Sequence, residues 1–151
     1  MNYVVHAQKV AAAPILVVRT RAKQSELSRV VPHLCGVVWN YCKANGVPSP
    51  GRQVAVYRNW KDGELDVEVG VEVGAGAVGG ADVVLSALPG GTAATVTHMG
   101  SYALLHAANT AIRDWCKENG RETTGTSWEI YGHMGPDPAN ARTDVFYLLK
   151  D

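Results

Sequence analysis

The chain repeats itself, and that constrains its fold more than any other feature. Tyr41-Cys42-Lys43-Ala44-Asn45-Gly46 returns as Trp115-Cys116-Lys117-Glu118-Asn119-Gly120, an offset of 74 residues (116 − 42) that runs on without a gap. Gly51 matches Gly125 and Tyr57 matches Tyr131, making six identities in register over positions 42 to 57. Upstream, Val30, Val31, Leu34, Val37 and Val38 match Leu104, Leu105, Ala108, Ala111 and Ile112. Those apolar matches follow a helical period, so the repeated element includes an amphipathic helix. A weaker match, Val4-Val5 with Val83-Val84, implies one loop of altered length.

Each copy reads alike. In the first, Tyr3 to Gln8 and Ile15 to Thr20 are β-branched runs expected as strands. A helix is expected from about Ser25, its N-cap, to Asn45, with Gly46 as its stop. Val54 to Trp60 and Leu65 to Val73 form a hairpin about Lys61-Asp62-Gly63, whose Asp-Gly pair tolerates positive φ. Val67, Val69, Val71 and Val73 alternate with Asp66, Glu68 and Glu72, which predicts an antiparallel strand with one buried face. The second copy has strands at Val83 to Leu88 and Ala93 to His98, and a helix from about Ser101 to Asn119. A hairpin, Ser127 to His133 and Thr143 to Leu149, closes it around the loop Gly135 to Ala141.

The fold class that follows is α+β: a duplicated strand-helix-strand-strand module, an antiparallel sheet with two long helices and a central cleft. One domain is expected over 1–151, with repeat one at about 1–73, a Gly-rich joint at 74–81 and repeat two at about 82–151. The length suits a single core.

The 14 basic and 14 acidic residues cancel, which argues against a phosphate-backbone binder and hence against direct nucleic-acid contact. Three scattered cysteines make no disulfide framework, and no Cys-x-x-Cys or paired-histidine spacing suggests a metal. Gly74-Ala75-Gly76-Ala77-Val78-Gly79-Gly80 has the letters of a dinucleotide fingerprint, yet a strand follows where that motif needs a helix N-terminus. No cofactor is therefore expected. No signal sequence or membrane-spanning run is visible, so a cytoplasmic setting is the expectation.

The repeat also supplies an internal control for function. Position 55 is alanine and its twin is Glu129, which shares a strand face with Tyr131 by period-two alternation. A carboxylate on a covered face needs a donor or cation. Three readings compete: a salt bridge to an arginine such as Arg142 or a place in solvent near an edge, a ligand anchor, or a catalytic carboxylate. Trp39, Trp60, Trp128, Tyr57, Tyr102, Tyr131 and Tyr147 lie on the elements that would converge on it. A carboxylate among aromatic faces suits a lipophilic cation. Cys42 and Cys116, as helix twins, read as packing residues.

Several stretches together resemble the GyrI-like domains. These are Leu88-Pro89-Gly90-Gly91, His98-Met99-Gly100-Ser101-Tyr102, Trp115 through Gly120, Trp128-Glu129-Ile130-Tyr131 and Arg142-Thr143-Asp144-Val145-Phe146-Tyr147. That family is an effector-binding module found alone or fused to AraC-type and MerR-type DNA-binding domains. The resemblance implies a cleft between the copies that binds bulky hydrophobic or cationic compounds, with a glutamate at its base that maps onto Glu129. The Gly-Tyr helix opening maps onto Gly100 and Tyr102, with Ser101 inserted between them. Trp39 and Tyr57 are placed by the repeat alone.

The leading expectation is a stand-alone binding module for lipophilic, cationic or aromatic small molecules, with Glu129, Tyr131, Tyr147, Tyr102, Trp39, Tyr57 and Trp128 lining the site. The resemblance also implies two alternatives. One is a hydrolase of reactive cyclopropane-type compounds using Glu129 with Tyr131 or Tyr147. The other is a protein inhibitor acting on DNA gyrase, with a protein partner.

Overall fold

Two copies of a module too small to bury a core alone must share one, and they do so through a single sheet. A computed structural model describes residues 3–48, 50–80, 82–101, 104–132 and 141–151. The elements are β1 (His6–Val10), β2 (Ala13–Lys23), α1 (Leu27–Ala44), β3 (Gln53–Lys61), β4 (Glu64–Glu72), β5 (Val84–Leu88), β6 (Gly91–Met99), α2 (Leu105–Glu118), β7 (Thr123–Tyr131) and β8 (Arg142–Leu149). Each copy thus carries two strands before its helix, one more than the expected formula counts. Among the described residues the strands form one antiparallel sheet, in the order β1-β6-β8-β7-β3-β4-β2-β5.

The copies are interlocked. β1 belongs to the first copy but pairs with β6 of the second, while β5 pairs back onto β2. Leu85 therefore stands to Leu16 as Ala7 stands to Ala94, which is one residue out from the expected Val4-Val5 match. The helix ends repeat closely. Gly46 and Gly120 both have φ 63°, and Val47 N–H donates to Cys42 O (3.0 Å) as Arg121 N–H donates to Cys116 O (2.9 Å). This left-handed glycine closure explains why Cys-Lys-x-Asn-Gly recurs.

α1 packs Val38 and Cys42 on Leu16 and Val71, and Cys35 on Ala55, Val67 and Val69. α2 packs Ala108, Ile112 and Cys116 on Ala94, Val96 and Val145. The other face of the sheet is buried as well. Ile15, Val17, Val54, Val56, Trp128 and Phe146 form a core that also takes Val10 from one edge strand and Val84 and Leu88 from the other. The sheet curls so that both edge strands reach one core, and this corrects the expectation of one buried face for β4. Glu68 on the supposedly wet face is only 6 % exposed. The curl relies on Gly70, where an added Cβ would run into the backbone carbonyl of Leu16.

Local details also differ from the sequence reading. A 3-10 turn, Gln24–Glu26, precedes α1, and Ser25 is not the cap. Instead Glu26 turns back to accept the Lys23 backbone N–H at 3.1 Å. The regular part of α2 begins at Leu105 rather than near Ser101. β1 is displaced from Tyr3–Gln8 to His6–Val10, because Tyr3 turns in to bond His98 Nδ1 at 2.8 Å. β7 starts at Thr123, four residues before the expected Ser127. The β3–β4 turn is as expected, with Asp62 at φ 55° and Gly63 at φ 77°. Residues 133–140 and Tyr102 lie outside the described residues, so the expected Gly135-to-Ala141 loop is described only at its end.

Gly70→Ala is expected to cost about 1–3 kcal/mol, the usual penalty for forcing extra volume into a packed site. Gly36→Ala, in open space on α1, should instead gain about 0.5–1 kcal/mol. Urea midpoints of the two variants check this, and equal shifts would refute the role given to Gly70.

Candidate ligand-binding site

The two copies meet at β3 and β7, with Ala55 opposite Glu129, Gln53 opposite Tyr131 and Tyr57 opposite Ser127. Exchanging each residue for its twin 74 positions away returns the same pairs. The pseudo-twofold axis therefore passes through the Ala55–Glu129 pair. Directly opposed residues have Cβ atoms about 4.5–5.5 Å apart, too close for two buried carboxylates to stay ionised. Alanine on one side and glutamate on the other leaves a single charge on the axis.

Glu129 is 7 % exposed. Its Oε1 accepts hydrogen bonds from both twin phenols, Tyr57 at 2.9 Å and Tyr131 at 2.7 Å. Asn109 of α2 lies near enough to lower the Glu129 pKa; its amide nitrogen donates to Leu105 O at 3.0 Å and its Oδ1 accepts from Tyr147 of β8 at 2.6 Å. No ion pair to Glu129 occurs among the described residues. Arg142, the expected partner, bonds Asp144 at 3.2 Å instead.

A second buried carboxylate shows what neutralisation looks like in the same sheet. Glu68 meets Arg19 at 2.6 Å, Arg58 at 2.9 Å and the Ser86 hydroxyl at 3.0 Å. Burial raises the Glu68 pKa, but those donors outweigh it and the net shift is downward. At Glu129 the balance reverses. Burial pushes the carboxyl up, and the bonds from Tyr131 and Tyr57, with the lowering effects of nearby Asn109 and His98, do not bring it back. Neutral donors contribute about 1.5–3 kcal/mol each to a charged acceptor, against a burial cost of several kcal/mol. Burial, followed by the Glu129 charge, pushes Tyr57 well above the usual phenol range. Tyr131 is raised by burial, then by Tyr57 and Glu129, so both phenols stay protonated donors.

Beside this cluster, Pro32, Cys35, Gly36 and Trp39 of α1 and Gln53 of β3 line an open groove of about 460 Å³. Those four α1 residues fall on one helix face. Cys35 connects the groove to the interior, since it also packs with Ala55, Tyr57 and Tyr131. Burial raises its thiol to about 11, and Cys42 and Cys116 are also pushed up by burial, as protonated packing residues are.

Of the expected site residues, Glu129, Tyr57 and Tyr131 are in direct contact, Tyr147 bonds the neighbouring Asn109, and Trp39 stands 44 % exposed at the groove wall. Trp128 does not line this site. Adjacent strand residues face opposite sides, and Trp128 stacks on Phe146 across the sheet, with centroids 5.2 Å apart. Trp60 is exposed at the end of β3. Tyr102 lies outside the described residues. Asn109 and Gln53 were missed. The repeat could have found Asn109, because its twin is the buried apolar Cys35.

A family model described as the GyrI-like small molecule binding domain matches residues 5–150. The chain belongs to that family. The GyrI-like fold is shared with solved structures of low sequence identity. The EcmrR C-terminal domain superposes with a TM-score of 0.80 at 21 % identity, over 100 % of this chain and 99 % of that one. EcmrR in a DNA complex gives 0.78 at 20 %, over 99 % of this chain, which spans 58 % of that longer one. SAV2435 bound to tetraphenylphosphonium gives 0.66 at 12 %, over 99 % of this chain and 94 % of that one. No protein of curated function matches by sequence. Among the described residues, no helix is long and apolar enough to cross a membrane.

The raised Glu129 pKa carries a stability signature. A carboxyl whose folded-state pKa exceeds its unfolded value favours the fold below the unfolded pKa, and that contribution is lost as pH rises through the folded value. Glu129→Gln should therefore melt a few degrees above the parent at pH 7–8, at roughly 2–4 °C per kcal/mol, with the gap closing toward pH ~4. Thermal melts across this range check it, and a variant that is less stable at neutral pH would contradict it.

Proposed function

We propose that this GyrI-like domain binds a lipophilic small molecule bearing a positive charge in the cleft between α1 and α2, with Glu129 as the charge partner. The observation that carries the reading is the Glu129 carboxylate, which is buried on the pseudo-twofold axis and met by two phenols, with no ion pair among the described residues. At an effective dielectric near 20, a ligand cation at 4 Å would gain about 4 kcal/mol of attraction. Contacts with the faces of Tyr57, Tyr131 or Trp39 would add roughly 0.5–2 kcal/mol each. The ligand's apolar body would lie along Pro32, Gly36 and Trp39. The SAV2435 complex with an organic cation supports the same ligand class by fold analogy. The likeness to EcmrR in its DNA complex supports a role in which occupancy of the cleft is sensed by a regulator.

Titration with tetraphenylphosphonium and other aromatic cations, followed by Trp fluorescence and calorimetry, should give saturable 1:1 binding, with the ligand recovered intact by mass spectrometry. Glu129→Gln should weaken it at least tenfold, equivalent to about 1.4 kcal/mol. Affinity should fall on acidification as Glu129 protonates. Equal affinity in Glu129→Gln sinks the proposal, and conversion of the ligand would make the protein an enzyme.

A further inference from the structure

Resting on that reading of the cleft, we infer that its ligand is a zwitterion, carrying a positive charge toward Glu129 and a negative one toward Arg113. The two halves of the site are not chemically equivalent. In the second copy, Arg113 Nη1 donates to the Tyr147 hydroxyl at 3.3 Å, Tyr147 donates to Asn109 Oδ1 at 2.6 Å, and Asn109 lies near enough to Glu129 to lower its pKa. The twins of those four residues in the first copy are Trp39, Val71, Cys35 and Ala55. Trp39, Cys35 and Ala55 follow from the 74-residue offset. Val71 follows from strand register, since it pairs with Gln53 as Tyr147 pairs with Ser127. Every member of the set is apolar in one copy and polar in the other.

The α2 side therefore carries a polar run from Asn109 through Tyr147 to Arg113, where the α1 side carries apolar residues. Arg113 is exposed and makes no ion pair among the described residues. Its guanidinium is steadied by Tyr147 and by Thr110 Oγ1 at 3.3 Å. Two hydrogen bonds in series tie it to Asn109, the α2 residue that adjoins Glu129. A plain lipophilic cation would satisfy Glu129 while placing its charge near an unpaired guanidinium. A compound with a carboxylate, phosphate or sulfonate on its outer end would satisfy both poles, and the guanidinium fork is the donor best suited to such groups.

Rhodamine B, a zwitterion near neutral pH, and its ethyl ester, a cation with the same aromatic body, form a matched pair of probes. The intact protein should bind rhodamine B at least tenfold more tightly than the ester in fluorescence anisotropy titrations. Arg113→Gln should reduce that ratio to about one, mainly by weakening rhodamine B, and Arg113→Lys should keep most of it. Because Arg113 is exposed, both variants are expected to fold, which melting checks. A parent ratio of one or below, or a ratio unchanged in Arg113→Gln, overturns the inference. Glu129→Gln separates this failure from failure of the site itself. If both dyes weaken in that variant while Arg113→Gln changes nothing, only the zwitterion claim falls. If neither dye responds to Glu129→Gln, the anchoring role falls with it.

Discussion

One carboxylate on a symmetry axis organises this protein. The two modules meet strand to strand at β3 and β7, and whatever side chain sits at their crossing faces its own twin. A charge can occupy only one of those two places. Glu129 occupies it, and the two copies of one tyrosine supply its hydrogen bonds. Symmetry thus delivers paired donors to a single acceptor, and among the described residues no cation pairs with it.

The rest of the architecture holds that point in place. Exchange of the edge strands β1 and β5 ties each half to the other, so the central ladder cannot part without unpairing both edges. Curling buries the face behind Glu129 under Trp128 and Phe146, which leaves the carboxylate no route to water through the sheet. Glu68 shows that the same sheet can neutralise a buried acid fully when arginines are supplied. The two glutamates differ in kind: Glu68 is met by arginines, whereas Glu129 is met by phenols and makes no ion pair among the described residues.

The duplication was legible because its signals are local: helix-ending Asn-Gly pairs, apolar periodicity and a twin comparison of neighbouring residues. Glu129 stood out by that comparison, and applied to the helices it would also have exposed Asn109 against Cys35. What could not be read depends on contacts distant in sequence. Alternation in β4 predicted one wet face, but the curl that covers it brings β1 and β5, from opposite edges, onto one core. Trp128 was grouped with Glu129 as an aromatic near an acid, although adjacent strand positions cannot share a face. Ser25 resembled a cap, yet Glu26 reached the free N–H first.

The asymmetry laid over the duplication is what turns a shared core into a candidate receptor: one wall apolar, the other polar, and one acid between them. The most direct test of the central claim is the titration of Glu129 itself. In protein labelled at the glutamate side-chain carboxyl carbon, with the resonance assigned by its loss in Glu129→Gln, its NMR midpoint should lie above the ordinary glutamate value. The Glu68 midpoint should lie below that value, and saturation with an aromatic cation should move Glu129 down. A ligand-free Glu129 that titrates at or below the ordinary value would mean the protein already satisfies the charge, and the account of the site would be wrong.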